Sequence, residues 1–168
     1  MPLKLDFMSS RYMVKQFKEE DVSNIYALCK RNPTYYKYIK IEPTLENIKE
    51  VLTELPPNKT MDDKFFVGFY KDNQLVAILD LITGYPDINT AFISWFMMDQ
   101  DFQRIGIGTE IIMEILFYLK EENFRYVRLG YIKGNQESES FWIKNKFIPN
   151  GIESETDDYT IVVMQREL

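Results

Sequence analysis

The sequence predicts one α/β (α+β) domain over residues 1–168: a single mixed, mostly antiparallel central sheet of about six or seven strands, with helices on both faces. Three observations predict it. Residues 64–98 hold three strand-like runs separated only by short turns, the pattern of an antiparallel meander. A long amphipathic stretch after Gly106-Ile107-Gly108 then lies between two further apolar runs, as a strand–helix–strand crossover requires. No repeat, low-complexity tract or linker interrupts the chain, so one layered core suffices.

The elements follow in order. Arg11 to Phe17 reads as a short strand. Glu19-Glu20-Asp21 places acidic residues at a helix start, where the helix dipole favours them. That helix carries Val22, Ile25, Leu28 and Cys29 on one face and runs to about Arg31, with Asn32-Pro33 expected to stop it. Thr44 opens a second helix bearing Leu45, Ile48, Val51, Leu52 and Leu55, closed by Pro56-Pro57. Lys64 to Tyr70 and Gln74 to Thr83 are strands joined by a turn at Lys71-Asp72-Asn73. The second is apolar on both faces and so belongs in the middle of the sheet. Ala91 to Met98 returns as a third long strand. Ile111, Ile112, Ile115, Leu116 and Leu119 then form one helical stripe. A strand over Arg125 to Ile132, a helix over Gln136 to Asn145 and a strand over Tyr159 to Gln165 complete the reading.

Composition narrows the chemistry. There is no histidine, which removes Ser-His-Asp and Cys-His catalysis and the usual imidazole base. A single cysteine, Cys29, excludes an intrachain disulfide and a cysteine zinc site, and no metal is expected. Net charge is −6 without a dense basic run, so nucleic acid is not an expected partner. No apolar run approaches the roughly 20 residues of a membrane span, and the start lacks a signal-peptide pattern. A cytoplasmic protein without a membrane partner, monomer or homodimer, is the expectation.

The sharpest feature is the run from Met98 to Thr109, a loop that leaves a strand and opens a helix around Gly106 and Gly108. Glycines let successive amide groups converge on an anion, and the helix N-terminus adds partial positive charge. A P-loop would need Gly-Lys-Ser/Thr, whereas Gly108 is followed by Thr109-Glu110. A dinucleotide fingerprint would need glycine at Ile111 and should follow the first strand. A helix entry that holds no ligand remains the plain alternative.

Gln103-x-x-Gly106-x-Gly108, set between a long strand and an amphipathic helix, is similar to the acyl-CoA signature of the GNAT superfamily of acetyl-CoA-dependent N-acetyltransferases, Arg/Gln-x-x-Gly-x-Gly/Ala. Leu129-Gly130-Tyr131, Asn135 and the run Phe141-Trp142 to Phe147 resemble that family's second pattern, and the likeness covers nearly the whole chain. It implies the GNAT fold and an acetyl-CoA co-substrate between two splayed strands. Backbone amides of Gln103, Arg104, Ile105, Gly106, Ile107 and Gly108 would hold the pyrophosphate, and Met98 would pair with the pantetheine arm. The N–H of Phe96 would donate to the thioester oxygen, and Asn135 would face the arm or thiol. Tyr35 and Tyr36 fall in the segment that walls the acceptor in relatives.

Two positions depart from the family pattern. Trp142 stands where a proton-donating tyrosine is common, and Lys146 stands for the usual glycine before Phe147. The expected general base is Asp80, the one charge in an apolar strand, where burial would raise its pKa. Transfer of an acetyl group from acetyl-CoA to a primary amine in a ternary complex is the reading. A non-catalytic acyl-CoA-binding module of the same fold is the alternative, and a nucleotide-binding protein using the same loop is a third.

Overall fold

The computed structural model describes residues 2–168. The strands are β1 (Met13–Gln16), β2 (Lys64–Lys71), β3 (Gln74–Thr83), β4 (Thr90–Met98), β5 (Tyr126–Ile132), β6 (Ile148–Glu155) and β7 (Thr160–Glu167). They form one seven-stranded sheet in the order β1-β2-β3-β4-β5-β7-β6. The helices are α1 (Val22–Lys30), α2 (Pro33–Ile39), α3 (Leu45–Val51), α4 (Ile107–Glu121) and α5 (Gln136–Lys144). The β4–β5 pair is parallel and every other pair antiparallel, so the mixed sheet with helices on both faces is as the sequence predicts.

Local chemistry explains most of these boundaries. Asp72 and Asn73 take left-handed φ of 50° and 63° in the β2–β3 turn, a conformation Asp and Asn tolerate. Thr44 caps α3, its Oγ1 accepting the Asn47 N–H at 3.0 Å. Gly106 precedes α4 with φ of 87°.

Three elements differ from the sequence expectation. Pro33 does not end the helical region; it takes the first position of α2, where a missing N–H costs nothing. The strand β6 carries Pro149 and Gly151, is exposed almost throughout and has a bulge between Pro149 and Glu153. As an edge strand it shows no apolar alternation to read. α3 also stops at Val51, short of Leu55.

The sheet separates two apolar layers. Val67, Phe69, Ala77, Leu79 and Leu129 pack with Ile111, Ile112, Ile115 and Leu119 of α4. Phe66, Ile78 and Met97 pack on the other face with Ile25, Leu28 and Cys29 of α1, Tyr36 of α2 and Ile48 of α3. β3 contributes to both layers from its place between β2 and β4, and each fully buried Ile or Leu contributes about 1.5–3 kcal/mol.

Two irregularities shape the centre. Asp80 pairs with Trp95 but Leu81 pairs with Ile93, so Ser94 is an extra residue in β4. The β4–β5 ladder runs from Thr90↔Tyr126 only to Ile93↔Leu129, and β5 continues beside β7 alone. Past Ile93 the two parallel strands part.

Candidate active site

The parted strands open into a cleft of about 710 Å³, within the range typical of small-molecule sites. It is lined by the end of β4, the start of α2, the loop before α4 and the inner side of α5, with Phe96, Met98, Tyr35, Phe141 and Trp142 among its walls. The backbone of β4 sets its polarity. The Asp99 N–H donates to the Val76 carbonyl at 2.8 Å, so alternation turns Met97 and Trp95 toward β3. Phe96 and Met98 therefore direct their N–H and C=O groups away from β3, to the side where β5 has left.

The Met98 carbonyl is already engaged. It accepts from Asn32 Nδ2 at 3.2 Å and from Gln103 Nε2 at 3.0 Å, which fills both lone pairs. Its N–H remains open toward the cleft.

The loop 103–108 continues this edge. The Gln103 N–H closes a turn onto Gln100 O at 3.4 Å. Among the described residues, nothing accepts from the N–H groups of Arg104, Ile105, Gly106, Ile107, Gly108 or Thr109. The first intrahelical bond at this end of α4 is Glu110 N–H to Gly106 O at 3.1 Å. Left-handed φ at Arg104 (63°) and Gly106 (87°) curves the chain so that this run of unpaired amides sits at a helix N-terminus. The Arg104 side chain turns outward to Glu137, 2.8 Å away.

Asn135 lines the cleft while capping α5, its Oδ1 accepting the Ser138 N–H at 3.2 Å. Trp142 sits 8% exposed in an aromatic cluster, with ring centroids 6.0 Å from Phe96, 4.8 Å from Phe141 and 5.2 Å from Phe147. Tyr35 stacks on Trp95 at 6.4 Å, and burial pushes its hydroxyl up to about 12.

Three sequence expectations meet a different geometry. Asp80 lies outside the cleft lining, and both its carboxylate oxygens are 2.8 Å from Lys64 Nζ in a buried ion pair. Burial raises its pKa, as expected, with Lys64 pulling the other way. A carboxylate held by a buried ammonium is not presented to a substrate. Tyr36 points into the α1–α3 layer beside Cys29 and does not line the cleft. Only Tyr35 of the two tyrosines does. The Gln103 amide is spent in its turn, so the open run starts at Arg104.

Cys29 is fully buried, and burial pushes its thiol up to about 11, so it is an inert core residue. Sequence reasoning gives Asn32 no role beyond stopping a helix, although it bonds to both β4 and the loop.

The sheet splays between its parallel pair beside a helix-opening cradle of amides, the arrangement that the resemblance drawn from the sequence implies. The sequence model of the Acetyltransferase (GNAT) family matches residues 19–147, and the chain belongs to that family. No curated protein sequence matches it. Among solved structures, an acetyltransferase from Thermus thermophilus superposes with a TM-score of 0.74 at 19% identity, over 94% of this chain and 97% of the other. The PaiA N-acetyltransferase of Thermoplasma acidophilum in complex with coenzyme A gives 0.67 at 19% identity, over 94% and 99%. The ribosomal-protein-S18-alanine N-acetyltransferase of Escherichia coli gives 0.65 at 10%, over 93% of each chain. These likenesses concern the fold. No helix among the described residues is long and apolar enough to cross a membrane.

Proposed function

We propose that this protein transfers an acetyl group from acetyl-CoA to a primary amine by direct attack within a ternary complex. One observation carries the reading: the open backbone edge of β4 runs into unpaired amides at the start of α4. The donors of Arg104 to Gly108 suit a pyrophosphate, and the Met98 N–H suits a pantetheine carbonyl. The Phe96 N–H then lies where negative charge would build on the thioester oxygen, and a fixed donor there stabilises that charge without reorganisation. Acetyl-CoA supplies the activated acyl group; the chain supplies position, with Tyr35 on the acceptor side of the cleft.

Proton handling follows from what lines the cleft. Glu137 is the one carboxylate among the lining residues, and it is paired to Arg104. Tyr35, raised to about 12, stays neutral near pH 7. The acceptor therefore enters as the free amine and its proton leaves to water. Below the amine's own pKa, kcat/KM should rise about tenfold per pH unit.

The first test compares melting with acetyl-CoA, CoA, ATP and NAD. Ligand at 100 times its Kd adds about 2.7 kcal/mol, so the two CoA species should raise Tm and the nucleotides should not. Thiol release on adding a panel of primary amines then reads transfer. A melt indifferent to CoA would end the proposal. CoA binding without amine-stimulated thiol release would leave the acyl-CoA-binding module instead.

A further inference from the structure

Asn32, at the corner between α1 and α2, has every polar atom of its carboxamide engaged. Its Nδ2 donates to Leu28 O at 2.9 Å, closing the end of α1, and to Met98 O at 3.2 Å, on the open edge of β4. Its Oδ1 accepts from Gln103 Nε2 at 2.6 Å, and the same Nε2 donates to Met98 O at 3.0 Å. The two carboxamides and one carbonyl thus form a closed triangle. Its sense is fixed: turning either amide over would set an oxygen against the Met98 carbonyl. A second tie runs alongside, Arg31 reaching Asp99 at 3.2 Å and Asp101 at 2.8 Å. The helix corner that leads to Tyr35 is thereby fastened to the strand end and to the loop of unpaired amides.

We propose that Asn32 is a positioning residue for the acyl-CoA site: through the Asn32–Gln103–Met98 triangle it holds the pyrophosphate loop in register with the open edge of β4. This rests on the reading of the cleft as an acyl-CoA site. The loop has little else to fix its lateral position, since its amides are unpaired and the Arg104 side chain is directed to an exposed partner. Without Asn32, Gln103 keeps only the Met98 carbonyl, and the loop is free to turn its amides out of line. Asn32 touches the loop and not the reacting atoms, so its removal acts on binding before chemistry. Its place immediately before α2 also makes it the link by which an occupied loop steadies Tyr35.

The test is a double-mutant cycle on CoA affinity by titration calorimetry, with Tm recorded for each variant. Asn32→Ala and Gln103→Ala should each weaken CoA about tenfold, and the double variant should also lose about tenfold, because each single change already opens the triangle. Losses that multiply to about a hundredfold would show two independent contributions and overturn the coupling. An Asn32→Ala protein that binds CoA like the wild type, whatever its Tm, would overturn it too. If Asn32→Ala does not fold, Asn32→Asp replaces it in the cycle: it keeps the acceptor for Gln103 but loses both donors, and a tenfold loss is again expected. Wild type that fails to bind CoA would sink the acyl-CoA reading itself. Failure of Asn32 alone would leave that reading standing.

Discussion

Lys64 Nζ lies 2.8 Å from both carboxylate oxygens of Asp80, and the two side chains are 1% and 4% exposed. Breaking such a pair leaves an uncompensated charge in the core, a loss of about 3–5 kcal/mol, whereas exchanging both partners for apolar residues is often neutral. Lys64→Met should therefore fall by that amount in urea unfolding, and Lys64→Met with Asp80→Leu should recover most of it. Asp80→Asn should lose stability with turnover per folded molecule retained. Lost turnover at unchanged stability would return Asp80 to the chemistry.

Gly106 separates binding from folding. At φ of 87° a side chain meets nothing within 4 Å, so Gly106→Ala suffers only the left-handed backbone, about 1–2 kcal/mol. Relaxing that strain rotates the amides of the cradle. CoA affinity should drop at least tenfold while the far-ultraviolet spectrum is unchanged; equal affinity would mean that the turn does not aim the amides.

Trp142 tests the proton inventory. Indole donates a hydrogen bond but yields no proton near neutral pH, and its rings are packed against three phenylalanines. Trp142→Phe should keep kcat within about threefold. Trp142→Ala should cost about 3–5 kcal/mol of stability through the cavity it leaves. A large fall in kcat for the phenylalanine variant would give the indole N–H a direct part.

Asp63 sets a pH dependence. It caps the short turn before β2, accepting the Thr60 N–H at 3.0 Å beside Lys59 at 3.2 Å, and these hold its pKa below the ordinary 3.8. The native carboxylate then binds fewer protons than the unfolded one, so its stabilisation is present above pH 3.8 and fades as pH falls through the lower native value. Asp63→Asn should melt about 2–4 °C lower at pH 7, the effect of roughly 1 kcal/mol in a chain this size. The gap should close below pH 3.8. A gap constant with pH would remove the carboxylate's charge from the account.

The glycine loop was legible because backbone geometry restricts residue type: the left-handed turn at 106 wants glycine. The neighbouring left-handed Arg104 carries no such signature, and α2 hid behind a proline that helices accept only at their start. The Lys64–Asp80 pair was concealed by register. Folding β2 and β3 about the Asp72-Asn73 turn without interruption would place Asp80 opposite Phe65 and Lys64 on the other face. The irregularity at Phe69/Tyr70 shifts the pairing by one, to Phe66↔Asp80 and Lys64↔Ile82, and brings the two charges to one side. Such an irregularity leaves no mark in the hydrophobic pattern, and neither does the Asn32–Gln103 contact across 71 positions.

Ser94 makes β4 change step. Ala91 and Ile93 belong to the α4 layer by odd numbers, Phe96 and Met98 to the same layer by even ones, and Trp95 and Met97 to the opposite layer. Were β4 to run through Ser94 without the bulge, the two sets would exchange downstream and the amides of residues 96 and 98 would turn back toward β3. The inner wall of the cleft is thus a matter of counting as much as of chemistry: β4 reaches it in phase only because its backbone steps over one residue.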